Sequence, residues 1–167
     1  MKESSRSFAL SIEERNQPQP TFDDLEQLVD QTIGIKLFTL MEIDHDKGVA
    51  RRNYSNQPDV YPVSGEKPIQ QNKWTEQVQD RHEIFVANSI DEIAQVFPDH
   101  ELIASLGCES CLNLPIVVNG IVIGTLNCLH EAGHYTADRI AAAETLKQPG
   151  AMAFLLSAFV NKRNKDE

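Results

Sequence analysis

Five residues, His130-Glu131-Ala132-Gly133-His134, spell the HExxH signature of zinc proteases. That chemistry needs both histidines on one helical turn, about 6 Å apart, with the glutamate placed to activate a zinc-bound water. Here His130 closes a strand pattern, and Gly133 interrupts the chain before the next helix begins. An extended chain would hold the two histidines about 13 Å apart, too far to share an ion. The segment is therefore read as a loop, and no metal ligand is assigned.

The three cysteines offer a second chemistry. Cys108-x-x-Cys111 with Cys128 and His130 could number four zinc ligands, but Cys108 lies beyond the strand and no glycine-rich turn accompanies the pair. A reversible thiol switch between Cys111 and Cys128 is the alternative, against the plainer state of buried, inert thiols. An odd number of cysteines fits a reducing cytoplasm better than a disulfide framework. Trp74 with Arg51 and Arg52 could line a pocket for an anionic or aromatic ligand. The bland reading makes them a core anchor and a solvated sheet edge.

The elements that must position these residues follow from periodicity. Phe22, Leu25, Leu28, Val29 and Ile33 recur at helical steps behind an N-cap at Thr21, and Gly34 closes the helix. Residues 35–44 alternate as a strand, His45-Asp46-Lys47-Gly48 turns, and Val49 to Ser55 returns as a second strand. Asn56 to Pro68 is loop. Ile69 to Arg81 reads as helix, Glu83 to Asn88 as a short strand, and Ser89 opens a capped helix through Val96. A helical turn follows Pro98-Asp99. Tyr135-Thr136 opens a helix to about Lys147, where Pro149-Gly150 predicts a kink or break before a last helix to about Lys162.

Asn119-Gly120 supplies the two positive-φ residues of a type I′ hairpin joining two apolar strands. Unbroken register from that turn pairs Val118 with Ile121, Pro115 with Gly124, Asn113 with Leu126 and Cys111 with Cys128. The two cysteines would then lie about 4.5 Å apart at their α carbons, where a disulfide is possible but strained. One face would carry Leu112, Leu114, Ile116, Val118, Ile121 and Ile123, packed on the terminal helices. The other, with Cys111, Asn113, Val117, Val122, Leu126 and Cys128, would floor a cavity roofed by residues 56–108. A buried Asn113 needs partners, from a ligand or from nearby backbone in a solid core.

Composition bounds the function. The chain has 167 residues, a net charge of -10, 41% hydrophobic and 24% charged residues. That supports one packed domain and excludes intrinsic disorder. The acidic balance, with no basic stripe, argues against nucleic acid or an anionic membrane as partner. Met1 to Leu10 lacks a signal-peptide core, and the longest apolar run, Ala151 to Val160, is too short to span a bilayer. A cytoplasmic location is expected. Residues 1–20 read as a polar arm, 21–160 as the domain and 161–167 as a charged tail.

The segment Leu106-Gly107-Cys108-Glu109-Ser110-Cys111-Leu112-Asn113-Leu114-Pro115-Ile116, followed by Asn119-Gly120 and Gly124-Thr125-Leu126-Asn127, resembles the GAF domain pattern over roughly Thr21 to Val160. The resemblance implies an α+β fold: a five- to six-stranded antiparallel sheet with terminal helices on one face and connecting helices and loops over the other. It further implies a noncatalytic sensory domain that binds a small molecule and dimerises through its first and last helices, signalling through the homodimer or a separate partner. No cyclic-nucleotide, bilin or other chemically defined subgroup is matched, so the ligand and any cofactor are unspecified. The residues expected at the ligand are Cys111, Asn113, Cys128, Trp74 and Arg51. The alternative is a thiol-dependent enzyme of the free methionine sulfoxide reductase type using Cys111 and Cys128, although the family's cysteine-to-proline spacing does not transfer.

Overall fold

The computed structural model describes residues 2–63 and 65–166. Six strands form one antiparallel sheet: β1 (Leu37–Asp44), β2 (Val49–Ser55), β3 (Glu66–Pro68), β4 (Phe85–Ala87), β5 (Ser110–Val118) and β6 (Ile121–His130), in the order β3-β2-β1-β6-β5-β4. Helices α1 (Lys2–Ser11), α2 (Gln19–Ile33), α6 (Ala137–Ala143) and α7 (Lys147–Asp166) cover one face. A helical turn α3 (Lys73–Thr75), which widens into a π turn over Glu76–Asp80, covers the other with α4 (Ile90–Ala94) and α5 (His100–Ser105). The expected α+β architecture is present.

Local differences have physical causes. The polar N-terminal stretch is helical because Ser4, Phe8 and Ser11 form a buried stripe on a helix that packs against α2. Helix α2 begins earlier than Thr21, with Pro20 in its first turn, where a missing N–H costs nothing. Thr21 instead donates its hydroxyl to Gln17 Oε1. Pro149-Gly150 does not break a helix but lies in the first turn of α7, and a short 3-10 turn over Glu144–Leu146 makes the change of direction. A methyl group at Gly150 would come 2.8 Å from Ile116 Cδ1, so the bare backbone lets α7 settle onto the sheet.

The β5–β6 turn is as the sequence requires, with Asn119 at φ 51° and Gly120 at φ 75°. The register beyond it is not. Val117 faces Val122, but Ile116 faces Gly124, so Ile123 is an extra residue and a β-bulge interrupts the ladder. Beyond the bulge Pro115 pairs with Thr125, Asn113 with Asn127, Cys111 with Leu129 and Leu112 with Cys128. This corrects the Cys111–Cys128 pairing: alternation places the two thiols on opposite faces of the sheet. Pro115, which has no N–H, and Gly124 mark the irregular place. A methyl at Gly124 would collide with Phe154 Cζ and stand 2.7 Å from the Met41 carbonyl oxygen.

A second bulge lies between β1 and β2, where Tyr54 faces Leu40 but Arg52 faces Met41, leaving Asn53 as the extra residue. Strict alternation from Tyr54, which is buried on the helix side, would put Arg51 on the opposite face. The bulge puts Arg52 there instead.

Candidate functional site

On the face away from the terminal helices the sheet floors a cavity of about 630 Å3. Alternate residues of β1 (Leu37, Thr39, Met41, Ile43), of β2 (Ala50, Arg52), of β5 (Cys111, Asn113) and of β6 (Thr125, Asn127, Leu129) form that floor. The walls come from the segment leading into α3, including Gln70, Asn72 and Trp74, and from Tyr61, Phe97, Asp99 and Ile103. Such a volume, mostly apolar with a few convergent polar groups, is ordinary for a small-molecule pocket.

Three of the expected residues, Trp74, Asn113 and Cys111, line the cavity. Two do not. Cys128 belongs to the core between sheet and terminal helices, carried there by the β6 bulge. Arg51 pairs with Glu66 on the neighbouring strand. Their places at the cavity are taken by Asn127 and Arg52.

The floor is crossed by one polar chain. Trp74 Nε1 donates to Asn113 Oδ1 at 2.9 Å, Asn113 Nδ2 to Asn127 Oδ1 at 2.9 Å, and Asn127 Nδ2 to Thr39 Oγ1 at 3.3 Å. Asn113, only 4% exposed, therefore finds its partners in the side chains of two other elements, Trp74 on α3 and Asn127 on β6. The chain holds the Trp74 indole over the sheet; Phe97 meets it edge-on at 6.5 Å, with Phe85 edge-on to Phe97 at 6.0 Å.

Arg52 is differently placed. Its guanidinium carbon stands 4.9 Å from the centre of the Tyr61 ring, and its Nη1 donates to the Pro62 carbonyl at 3.1 Å. Tyr61 donates its own hydroxyl to Asp99 Oδ2 at 2.6 Å. Burial pulls the guanidinium down from its ordinary pKa, opposed by the nearby Tyr61 and Asp99. Its Nε is the one buried side-chain nitrogen or oxygen among the described residues with no hydrogen-bond partner.

All three thiols are free and buried. Burial pushes Cys111 up to about 12 and raises Cys108 and Cys128 as well, so none is a ready thiolate nucleophile at neutral pH.

The HExxH segment is not extended. Residues 131–133 turn, with Gly133 at φ 71°, and stack the His130 and His134 rings at 3.5 Å with planes 10° apart. With Glu131 their ligating atoms lie within 4.8 Å of one another, which corrects the separation expected of an extended chain. The ring planes nonetheless run side by side instead of converging on a point. His134 Nε2 donates to the Ile33 carbonyl at 2.8 Å, and His130 Nδ1 accepts from the Glu131 N–H at 2.9 Å. Tyr135 adds its hydroxyl to the Gly34 carbonyl at 3.2 Å. The segment thus satisfies the free carbonyls at the end of α2.

A family model described as GAF domain matches residues 21–154. The chain belongs to the GAF domain family, whose members are commonly sensory, ligand-binding domains. Its fold is similar to the GAF domain of an Acinetobacter phosphoenolpyruvate-protein phosphotransferase, at 14% identity and a TM-score of 0.68, covering 95% of each chain. The GAF domain of the Coxiella burnetii phosphoenolpyruvate-protein phosphotransferase is similar at 16% identity and a TM-score of 0.66, over 99% of this chain and 95% of that one. A domain of a two-component sensor histidine kinase from Sinorhizobium meliloti follows at 15% identity and 0.65, over 89% and 98%. At these identities the likeness establishes the fold alone. No curated protein sequence matches the chain. Among the described residues no helix is long and apolar enough to cross a membrane.

Proposed function

We infer that this chain is a noncatalytic small-molecule sensor of the cytoplasm, its ligand seated between the sheet and the segments that roof it. The observation that carries the reading is the cavity itself: about 630 Å3 beside a sheet whose other face is closely packed. The absence of an accessible low-pKa thiol at the cavity weighs against the reductase alternative, as does the placement of Cys111 and Cys128 on opposite faces. Native mass spectrometry of protein purified from its own host tests the reading. A stoichiometric copurifying small molecule, lost on denaturation, is expected; an empty protein whose Trp74 emission responds to no metabolite extract would overturn it.

Output through a homodimer is part of the same reading. Met152, Leu155 and Phe159 lie on one side of α7, which packs against α2, and are 43%, 46% and 58% exposed, an apolar stripe that a second copy would cover. Light scattering at micromolar concentration should give twice the chain mass, and Leu155→Glu with Phe159→Glu should give the monomer.

A further inference from the structure

We propose that the ligand of this cavity is an organic carboxylate with an apolar or aromatic body, its carboxylate held by Arg52; the proposal rests on the sensor reading above. A buried N–H without an acceptor is costly, more so on a charged group, and native proteins seldom leave one. Arg52 Nε is such a group, on a residue that lines the cavity. The β2 bulge is what directs this arginine, and not its neighbour, to that face.

The surroundings narrow the ligand's chemistry. Tyr61 and Pro62 engage the guanidinium from its face and through Nη1, and among the described residues no carboxylate forms an ion pair with it. Asp99, the acidic side chain of the cavity wall, already accepts the Tyr61 hydroxyl. The cation is thus oriented, partly desolvated and short of an anion. A carboxylate meets the edge of a guanidinium in a planar, paired geometry, and supplies the Nε–H with its missing acceptor once the side chain turns that edge toward the ligand. The rest of the cavity asks for the opposite chemistry. Leu37, Met41, Ile43, Trp74, Phe97 and Leu129 present hydrocarbon and ring surface, and the amide chain of Asn113 and Asn127 is already internally bonded. One anionic head and a body without further charge fit this division.

Trp74 is the single tryptophan of the chain and lines the cavity, so its emission reports occupancy directly. The probes are phenylacetate, 4-phenylbutanoate and octanoate, each titrated beside its neutral primary amide and its primary amine analogue. The expected result is saturable change with the acids, at least tenfold weaker response to the amides, and loss of that preference in Arg52→Gln. Arg52→Lys, which keeps the charge but not the planar fork, should fall between. Thermal melts of both variants establish that they are folded.

Lys67 is the other cation that lines the cavity. Equal binding of acids and amides, preference for the amines, or an acid preference that survives Arg52→Gln but vanishes in Lys67→Gln would each overturn the assignment to Arg52. Failure of every probe would overturn it too. The mass of the copurifying molecule separates the two readings: a neutral occupant sinks the carboxylate and leaves the sensor standing.

Discussion

Leu40 and Met41 are adjacent on β1, yet they live in different environments. Leu40 is fully buried among α2, the sheet and the terminal helices, where a single methyl at Gly124 would collide with Phe154. Met41 faces a volume that the chain itself leaves unfilled. One sheet therefore separates a closely packed face from a face that borders an open cavity. The contrast is sharpest in truncation. Leu40→Ala removes buried hydrocarbon and opens a new void, and should cost about 3 kcal/mol in urea unfolding. Met41→Ala only enlarges an existing space and should cost less than about 1.5 kcal/mol. Equal losses would mean that the two faces are packed alike, and the cavity would lose its meaning.

The polar chain on the cavity floor sharpens the comparison from the other side. Asn113→Leu is close to isosteric but leaves the Trp74 Nε1–H and the Asn127 oxygen without their partners. A loss of about 2 kcal/mol is expected, together with a shift in Trp74 emission as the indole is released from its bond. An unmoved emission maximum would show that the indole is held by Phe97 and not by the amide.

How far this division can be read from the sequence is set by the two bulges. Most of the element order, the Asn119-Gly120 hairpin and the aliphatic face of Leu112, Leu114 and Ile116 are legible, because periodicity and turn chemistry are local, whereas the three-residue edge strand β3 lies in a stretch read as loop. The partners of the cavity are not, because one inserted residue reverses the facing of everything beyond it. Ile123 moves Cys128 to the helix side and brings Asn127 to the cavity. Asn53 does the same for Arg51 and Arg52. For β6 there was a usable signal, a proline and a glycine inside strands that otherwise look regular. For β2 no such residue marks the place. The helix of residues 2–11 also escaped, since its buried stripe holds one apolar residue, Phe8, between two serines, Ser4 and Ser11.

The thiols extend the comparison into pH. Cys111 lies on the cavity side and Cys128 on the helix side, and burial raises both above the ordinary thiol value. A raised folded-state pKa favours the protonated form in the native state, so the stabilisation is complete below the unfolded pKa and declines as pH rises. For Cys111 the window runs from about 9 to about 12, with a slope near 1.4 kcal/mol per pH unit. Cys111→Ala should remove one proton's worth of that slope between pH 9 and 10.5. An identical slope in the variant would place the thiol in contact with water, on an open floor instead of under a roof.

The smallest effect concerns the edge where both faces end. His134 donates to the Ile33 carbonyl at the end of α2 while its ring lies on His130, and a methyl at Gly34 would stand 2.7 Å from its Nε2. His134→Ala therefore removes one capping bond from a helix that belongs to the packed face, and should cost about 1 kcal/mol. Burial and the neighbouring His134 hold His130 below its ordinary value. A depressed histidine contributes stability that is present above the unfolded pKa and is lost as pH falls below about 6.5. The wild type should accordingly weaken in that range, and His134→Ala should weaken less steeply because one of the causes is gone. Ligand affinity at the cavity should stay unchanged in this variant, since no ring atom of either histidine lines it. A fall in affinity would mean that the end of α2 and the cavity are coupled, and that the two faces of the sheet do not act independently.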